Sequence, residues 1–233
     1  MAKTRKTVYN NITSDEKMAF VNPDNISLGD DFIEYLTSID RAKSTIESYK
    51  ADLKIIWILV HDLAGNKFFV ELSKRDIVKI QNHCLNVFGW SPARMRRIKS
   101  TMSSLSNYVE SMLDDEFEDY RPIVRKIENP PACAVREKTV LEDEQLEELL
   151  EYLVEKGKYD KACMLAMAMH NGRRKSELPR MKISYFTKDN IIYGSLYKSP
   201  EQVVTKGRGS RGKMLTIYTL KNGFQKYLDL WLK

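Results

Sequence analysis

Residues 114–138 constrain this chain more than any other stretch. They hold Pro122, Pro130 and Pro131, closely spaced charges and no apolar period. Proline removes a backbone donor and stops a helix, so no single element runs through them. The pattern predicts two folded units joined by an interdomain linker over 114–138. At 233 residues, the chain is long enough for two small cores.

The first 27 residues are polar, carry Asn10-Asn11 and Asn22-Pro23-Asp24-Asn25, and show no lasting apolar period, so an arm that packs little is expected. Four amphipathic helices follow over 28–113. Phe32, Tyr35, Leu36 and Ile39 recur at helical spacing, and so do Ile46, Tyr49, Leu53, Ile56 and Val60, with Trp57 beside them. Ser73, with Asp76 at N3, caps a third helix carrying Ile77, Ile80, Cys84, Val87 and Phe88. Ser91-Pro92 opens the fourth, whose inner face is Ile98, Met102, Leu105, Tyr108, Val109 and Met112. Four such helices with short connections make a bundle.

The second unit, 139–233, opens on the acid-rich Leu141-Glu142-Asp143-Glu144-Gln145, with Leu146, Leu149, Leu150 and Leu153 inward. A nearly all-apolar helix from Tyr159 to His170 should be buried, its methionines being core. Beyond Asn171-Gly172, Ser176-Glu177-Leu178 reads as a polar helix start. Tyr185-Phe186 and Ile191-Ile192-Tyr193 read as strands, and Val203-Val204 with Met214 to Tyr218 as a hairpin around a Gly/Lys/Arg loop. Phe224, Leu228, Trp231 and Leu232 mark a last amphipathic helix. The fold class is thus mainly α with a small antiparallel β-sheet, α+β.

Charge narrows the partners. Between residues 77 and 109 there are five Lys/Arg and no acid; over 138–155 one Lys faces seven acids; over 156–233 seventeen Lys/Arg face five acids. Two basic regions on separate units suit a clamp on a polyanion, and duplex DNA is the favoured partner. No apolar run approaches the roughly 20 residues of a membrane span, and no signal peptide pattern opens the chain, so a cytoplasmic protein is expected. Cys84, Cys133 and Cys163 fit neither a disulfide framework nor a zinc knuckle, and His61, His83 and His170 lack ligand spacing; no metal and no cofactor are expected.

Two motifs decide among the proteins such an architecture could serve. Asn171-Gly172-Arg173-Arg174-Lys175-Ser176-Glu177-Leu178 resembles the T-G-x-R-x-S-E-L box of the tyrosine recombinases, the phage integrase family, with Arg174 on the family's arginine. Thr205-Lys206-Gly207-Arg208-Gly209, thirty-two residues past Arg174, resembles the hairpin that carries the family's catalytic lysine, with Lys206 its match and Lys213 the second choice. Ser44-Thr45-Ile46-Glu47-Ser48-Tyr49-Lys50-Ala51-Asp52-Leu53 is similar to the start of the family's core-binding domain. The resemblance covers most of 28–233. It implies a SAM-like core-binding bundle followed by part of the catalytic domain.

The family's chemistry implies a role for each matched residue. A tyrosine attacks a DNA phosphodiester, and charge builds on the phosphate oxygens; a planar guanidinium binds two of them at once, which would be the part of Arg174. The leaving 5′-oxygen takes a proton, which Lys206 would supply as general acid. Glu177 would orient the arginine or cap a helix. Phosphate contacts are expected from Lys43, Lys50, Lys54, Arg94, Arg96, Arg97, Lys99, Arg173, Lys175, Arg208 and Arg211.

The family continues past the hairpin with H-x-x-R, a further His or Trp, and the nucleophile. Here no His follows His170, and Tyr218 and Tyr227 read as packing residues. A truncated recombinase that binds an attachment-site-like duplex without cleaving it is therefore expected, a monomer in solution that self-associates on DNA only in a complete form. The alternatives are a DNA-binding regulator on the same scaffold and a basic RNA- or protein-binding module.

Overall fold

The computed structural model describes residues 12–131, 140–207 and 211–233. It divides into two compact units, Met1–Glu137 and Lys138–Lys233.

The first unit is helical: α1 (Asp15–Met18), α2 (Pro23–Ser38), α3 (Lys43–Ala64), α4 (Lys74–Asn86) and α5 (Pro92–Met112). Local chemistry sets the ends. Asn22 Oδ1 accepts the Asp24 amide at 2.9 Å ahead of Pro23, and Ser73 with Asp76 forms a full capping box. Ser91 Oγ accepts the Arg94 amide at 3.3 Å. Gly65 ends α3 in the left-handed conformation, φ 69°. Phe32, Ile56, Leu59, Ile77, Ile80, Met95, Ile98, Met102 and Leu105 are fully buried in one core. Ile39, Val87 and Met112, expected inward, are exposed at or beyond the ends of their helices.

Two stretches expected to pack little are docked on this unit. In the N-terminal region Ile12 and Val21 are buried, and Asn25 donates to the Lys67 carbonyl at 2.9 Å while accepting the Phe69 amide at 2.8 Å. Asn22 and Asn25 bond residues 66–69 of the bundle, so much of the docking is polar and leaves no apolar period in the stretch. Along the expected linker, Val124 is buried, and Phe117, Tyr120, Ile123 and Ile127 pack on the core. Tyr120 Oη also bonds Ser106 Oγ at 2.6 Å. The apolar residues of 113–127 contact the bundle through turns and one 3-10 segment, so no regular spacing marks them. Residues 1–11 and 132–139, with Cys133, lie outside the described residues.

The second unit holds α6 (Asp143–Glu155), α7 (Tyr159–Asn171), β1 (Ile191–Ile192), β2 (Leu196–Lys198), β3 (Val203–Thr205), β4 (Lys213–Leu215), β5 (Tyr218–Leu220) and α8 (Lys221–Trp231). β1, β2 and β5 form one antiparallel sheet in that order, and β3 and β4 form a separate hairpin. Phe224 and Leu228 of α8 pack with Ala162, Cys163 and Ala166 of α7. His170 lies over Gly223, where any Cβ would overlap its ring. Burial pushes the Cys84 thiol up to about 12 and the Cys163 thiol to about 11, so both stay protonated at neutral pH.

Several local expectations change in this unit; Met164, Trp231 and Leu232, expected inward, are exposed, and Tyr193 lies past the end of β1. Ser176-Glu177-Leu178 starts no α-helix, because Pro179 follows and the chain makes only a 3-10 turn, Leu178–Arg180. Tyr185-Phe186 is not a strand; Ile183–Tyr185 is another 3-10 turn. The hairpin ends at Leu215, since Ser199 and Ile217 bond each other's backbone and side chain and send Tyr218 into β5 beside β2. Leu149 is exposed while Leu150 is buried.

Candidate functional site

The motif around Arg174 starts where α7 stops. Gly172 takes the left-handed conformation, φ 61°, which a glycine adopts without strain, and Asn171 Oδ1 accepts the Arg173 amide at 2.9 Å. The turn then closes as the Glu177 amide donates to the Arg174 carbonyl at 2.7 Å. That folding turns Glu177 inward, where it is 3% exposed, and leaves the Arg174 side chain 65% exposed.

Glu177 is the node of the site. Its Oε2 accepts the Arg174 amide at 3.2 Å, and its Oε1 accepts both Arg174 Nη1 at 3.2 Å and the Lys206 amide at 3.0 Å. The Lys206 amide, reinforced by the Arg174 amide and guanidinium against the cost of burial, holds the Glu177 carboxyl below the usual range. A single carboxylate thus fixes Arg174 and tethers the hairpin at Lys206. Among the described residues Nη1 is the guanidinium nitrogen engaged, and both Arg174 and Lys206 are exposed. The geometry suits an oxyanion with spread charge.

The hairpin has a tight neck just past Lys206. A Cβ on Gly207 would meet the Gly212 carbonyl carbon and the Lys213 nitrogen at 2.6 Å, and one on Gly212, φ 69°, would meet the Thr205 oxygen at 2.5 Å. Thr205 Oγ1 donates to the Lys213 carbonyl at 2.9 Å, which seals the same point. Lys175, Arg211 and Lys213 are exposed, while Arg173 is partly buried with its Nε unpartnered. Arg208 lies outside the described residues.

In the first unit the expected phosphate contacts do not form one group. Lys99 is corrected outright: it is 3% exposed, and its Nζ donates to the Ile127 and Glu128 carbonyls, each at 2.9 Å. A neutral-backbone cage holds it, and burial pushes its pKa down. Arg96 Nε donates to the Pro130 carbonyl at 2.9 Å, and Arg94 stacks 4.3 Å over Trp90, yet both side chains reach the surface region of α5. Arg97 Nε bonds Asp52 Oδ2 at 3.0 Å, and Thr101 Oγ1 donates to the same oxygen at 3.1 Å. On α3, at about 100° per residue, Lys43, Lys50 and Lys54 fall within about 40° of each other and about 160–200° from Asp52. Lys50 and Lys54 line a groove with α2 instead, and Lys50 pairs with Glu47 at 3.7 Å.

Sequence reasoning missed the residues that brace the hairpin. Arg180 Nη1 donates to the Val204 carbonyl at 2.5 Å, Tyr185 Oη donates to Glu201 Oε1 at 2.5 Å, and Lys182 pairs with the same carboxylate. No motif marks them. Asp52, by contrast, was visible in the Tyr49-Lys50-Ala51-Asp52-Leu53 pattern.

Among known proteins, no family model matches the chain. It is 27% identical over 201 residues to the SPbeta prophage-derived recombinase-like protein YomM of Bacillus subtilis (strain 168), covering 85% of this chain and 59% of that protein. Its fold matches a crystal structure of XerH site-specific recombinase bound to palindromic difH substrate, a post-cleavage complex, with a TM-score of 0.56 and 18% identity over 81% of this chain and 52% of that one. XerA recombinase aligns with a TM-score of 0.33 and 19% identity, covering 90% of this chain and 65% of that one, and adds nothing to the fold assignment. The chain spans between half and two thirds of the length of the proteins it matches. The chain is thus similar in sequence to a recombinase-like protein and shares the fold of a site-specific recombinase.

Proposed function

We propose that the chain serves site-specific DNA recombination: it binds an attachment-site-like duplex and presents Arg174 and Lys206 to a scissile phosphate. The observation that carries this is the Glu177 carboxylate bonded at once to Arg174 and to the Lys206 amide. Two segments far apart in sequence are thereby joined at residues that each carry a cationic side chain, and both residues are exposed. Arg174 stabilises charge developing on the phosphate oxygens, and Lys206 delivers a proton to the leaving 5′-oxygen. The XerH neighbour, captured on its DNA substrate, supports duplex DNA as the partner. Arg94, Arg96, Lys43, Lys50, Lys54, Arg173, Lys175 and Arg211 are proposed to neutralise flanking phosphates, as is Arg208.

The test adds a segment of the kind that follows the hairpin in the tyrosine recombinases. Fused to a segment bearing H-x-x-R and a tyrosine nucleophile, the chain should cleave a nicked suicide duplex and form a covalent adduct. Arg174→Ala should abolish that adduct, and Arg174→Lys should lower it by at least about tenfold, because an ammonium lacks the planar fork that grips two phosphate oxygens side by side. A fusion that binds the duplex and never cleaves it would favour a DNA-binding regulator instead.

A further inference from the structure

We infer that Arg180 is a positioning residue for Lys206, acting through the outer edge of strand β3. On its inner edge β3 pairs with β4 in the register Val203↔Leu215 and Thr205↔Lys213. Its outer edge carries the Val204 carbonyl and the Lys206 amide, two residues apart and therefore on one side of the strand. Each is met by a side chain: Arg180 Nη1 donates to the Val204 carbonyl at 2.5 Å, and Glu177 Oε1 accepts the Lys206 amide at 3.0 Å. A donor and an acceptor three residues apart thus stand where a neighbouring strand would supply backbone groups.

The pattern continues toward the base of the hairpin. Glu201 accepts from Tyr185 Oη at 2.5 Å and pairs with Lys182. Residues 177, 180 and 182–185 therefore meet 206, 204 and 201 in antiparallel order, as a zipper of side chains. β3 and β4 are three residues each and, among the described residues, pair only with one another. A two-stranded ribbon of that length is marginal by itself, so what holds its free edge decides where its tip sits. Lys206 follows directly on β3. With the Val204 carbonyl released, the Glu177 bond to the Lys206 amide is left as the edge's remaining tie at that end. An arginine suits the task, since one nitrogen holds the carbonyl while the rest of the fork stays in solvent.

The inference rests on the proposed role of Lys206 for its importance, and its test needs no DNA. Amide hydrogen exchange is followed in the whole chain. Arg180→Ala should speed exchange of the Lys206 amide by about two- to tenfold, the worth of one net hydrogen bond, with the α7 amides of Ala166 and Met167 unchanged. Arg180→Lys, which keeps a donor, should return Lys206 toward the wild-type rate. The wild-type chain gives a second readout: Arg180 guanidinium protons held by Val204 should show resolved, slowly exchanging signals. An unchanged Lys206 rate, equal acceleration throughout α7, or freely averaging Arg180 protons would overturn the inference. Control of Lys206 by Arg180 in a chain that binds no DNA would leave the inference standing and overturn the proposed function.

Discussion

Glu177 accepts the backbone amide of Lys206 at 3.0 Å across 29 residues of chain. The same oxygen holds Arg174 Nη1, so the position of one cation is tied to that of the other. Neither tie uses the Lys206 ammonium; the Lys206 backbone is what Glu177 anchors.

That anchoring predicts a pH dependence. The folded Glu177 carboxyl lies below its ordinary value of 4.5, so its contribution is complete above that value and is lost as pH falls through the folded one. Thermal unfolding of the wild type and Glu177→Gln should show the wild type more stable at neutral pH, with the gap closing on acidification. A gap that widened in acid would have the wrong sign.

Lys99 serves the fold and not DNA. Lys99→Met removes both donors to the Ile127 and Glu128 carbonyls and should cost about 1–3 kcal/mol by denaturant unfolding. The slope of log affinity for duplex DNA against log salt should stay where it was, whereas Arg94→Gln should flatten it by close to one phosphate contact. A flattened slope in Lys99→Met would restore it as a DNA ligand.

Arg97 holds Asp52, and we propose that it also meets a DNA phosphate; the two parts separate. Asp52 is 6% exposed, and removing Arg97 strips its ion partner, so Arg97→Met should cost about 1–3 kcal/mol. Asp52→Asn in the same chain should recover most of that stability without recovering DNA affinity. Recovery of both together would make the pair purely structural.

Much of this was legible in the sequence because it rests on local signals. Ser73 with Asp76 and Ser91 with Pro92 announce helix starts, and the Val203-Val204 and Met214-Leu215 runs announce the hairpin. Arg174 and Lys206 stand in recognisable motifs. What was hidden depends on contacts between distant residues: the docking of Val124 and Ile127, the burial of Lys99 beneath them, and the Arg180 bond to Val204. A lysine written in a basic stretch looks the same whether a phosphate or two carbonyls will meet it. The β5 strand was hidden for the same reason, because its partner β2 is set by the Ser199–Ile217 pairing rather than by any pattern in Tyr218–Leu220.

Cleavage by these 233 residues alone is not expected. Tyr218 is exposed on β5, and Tyr227 packs against the core of the second unit. We propose that Arg174 and Lys206 act here without an in-line nucleophile, which leaves phosphoryl transfer incomplete. A nicked suicide duplex should therefore yield no covalent adduct on a denaturing gel from mild acid to mild base. An adduct mapping to either tyrosine would mean a different active site.

The most direct measurement asks whether Arg174 holds one particular phosphate. Duplexes carrying a single neutral methylphosphonate, moved one position at a time along the target, are titrated with the wild type and with Arg174→Ala in a double-mutant cycle. At one phosphate the two changes should be coupled by about 1–3 kcal/mol, with additivity elsewhere. Additive effects at every position would contradict the assignment of Arg174, Glu177 and Lys206 as a phosphate-binding site.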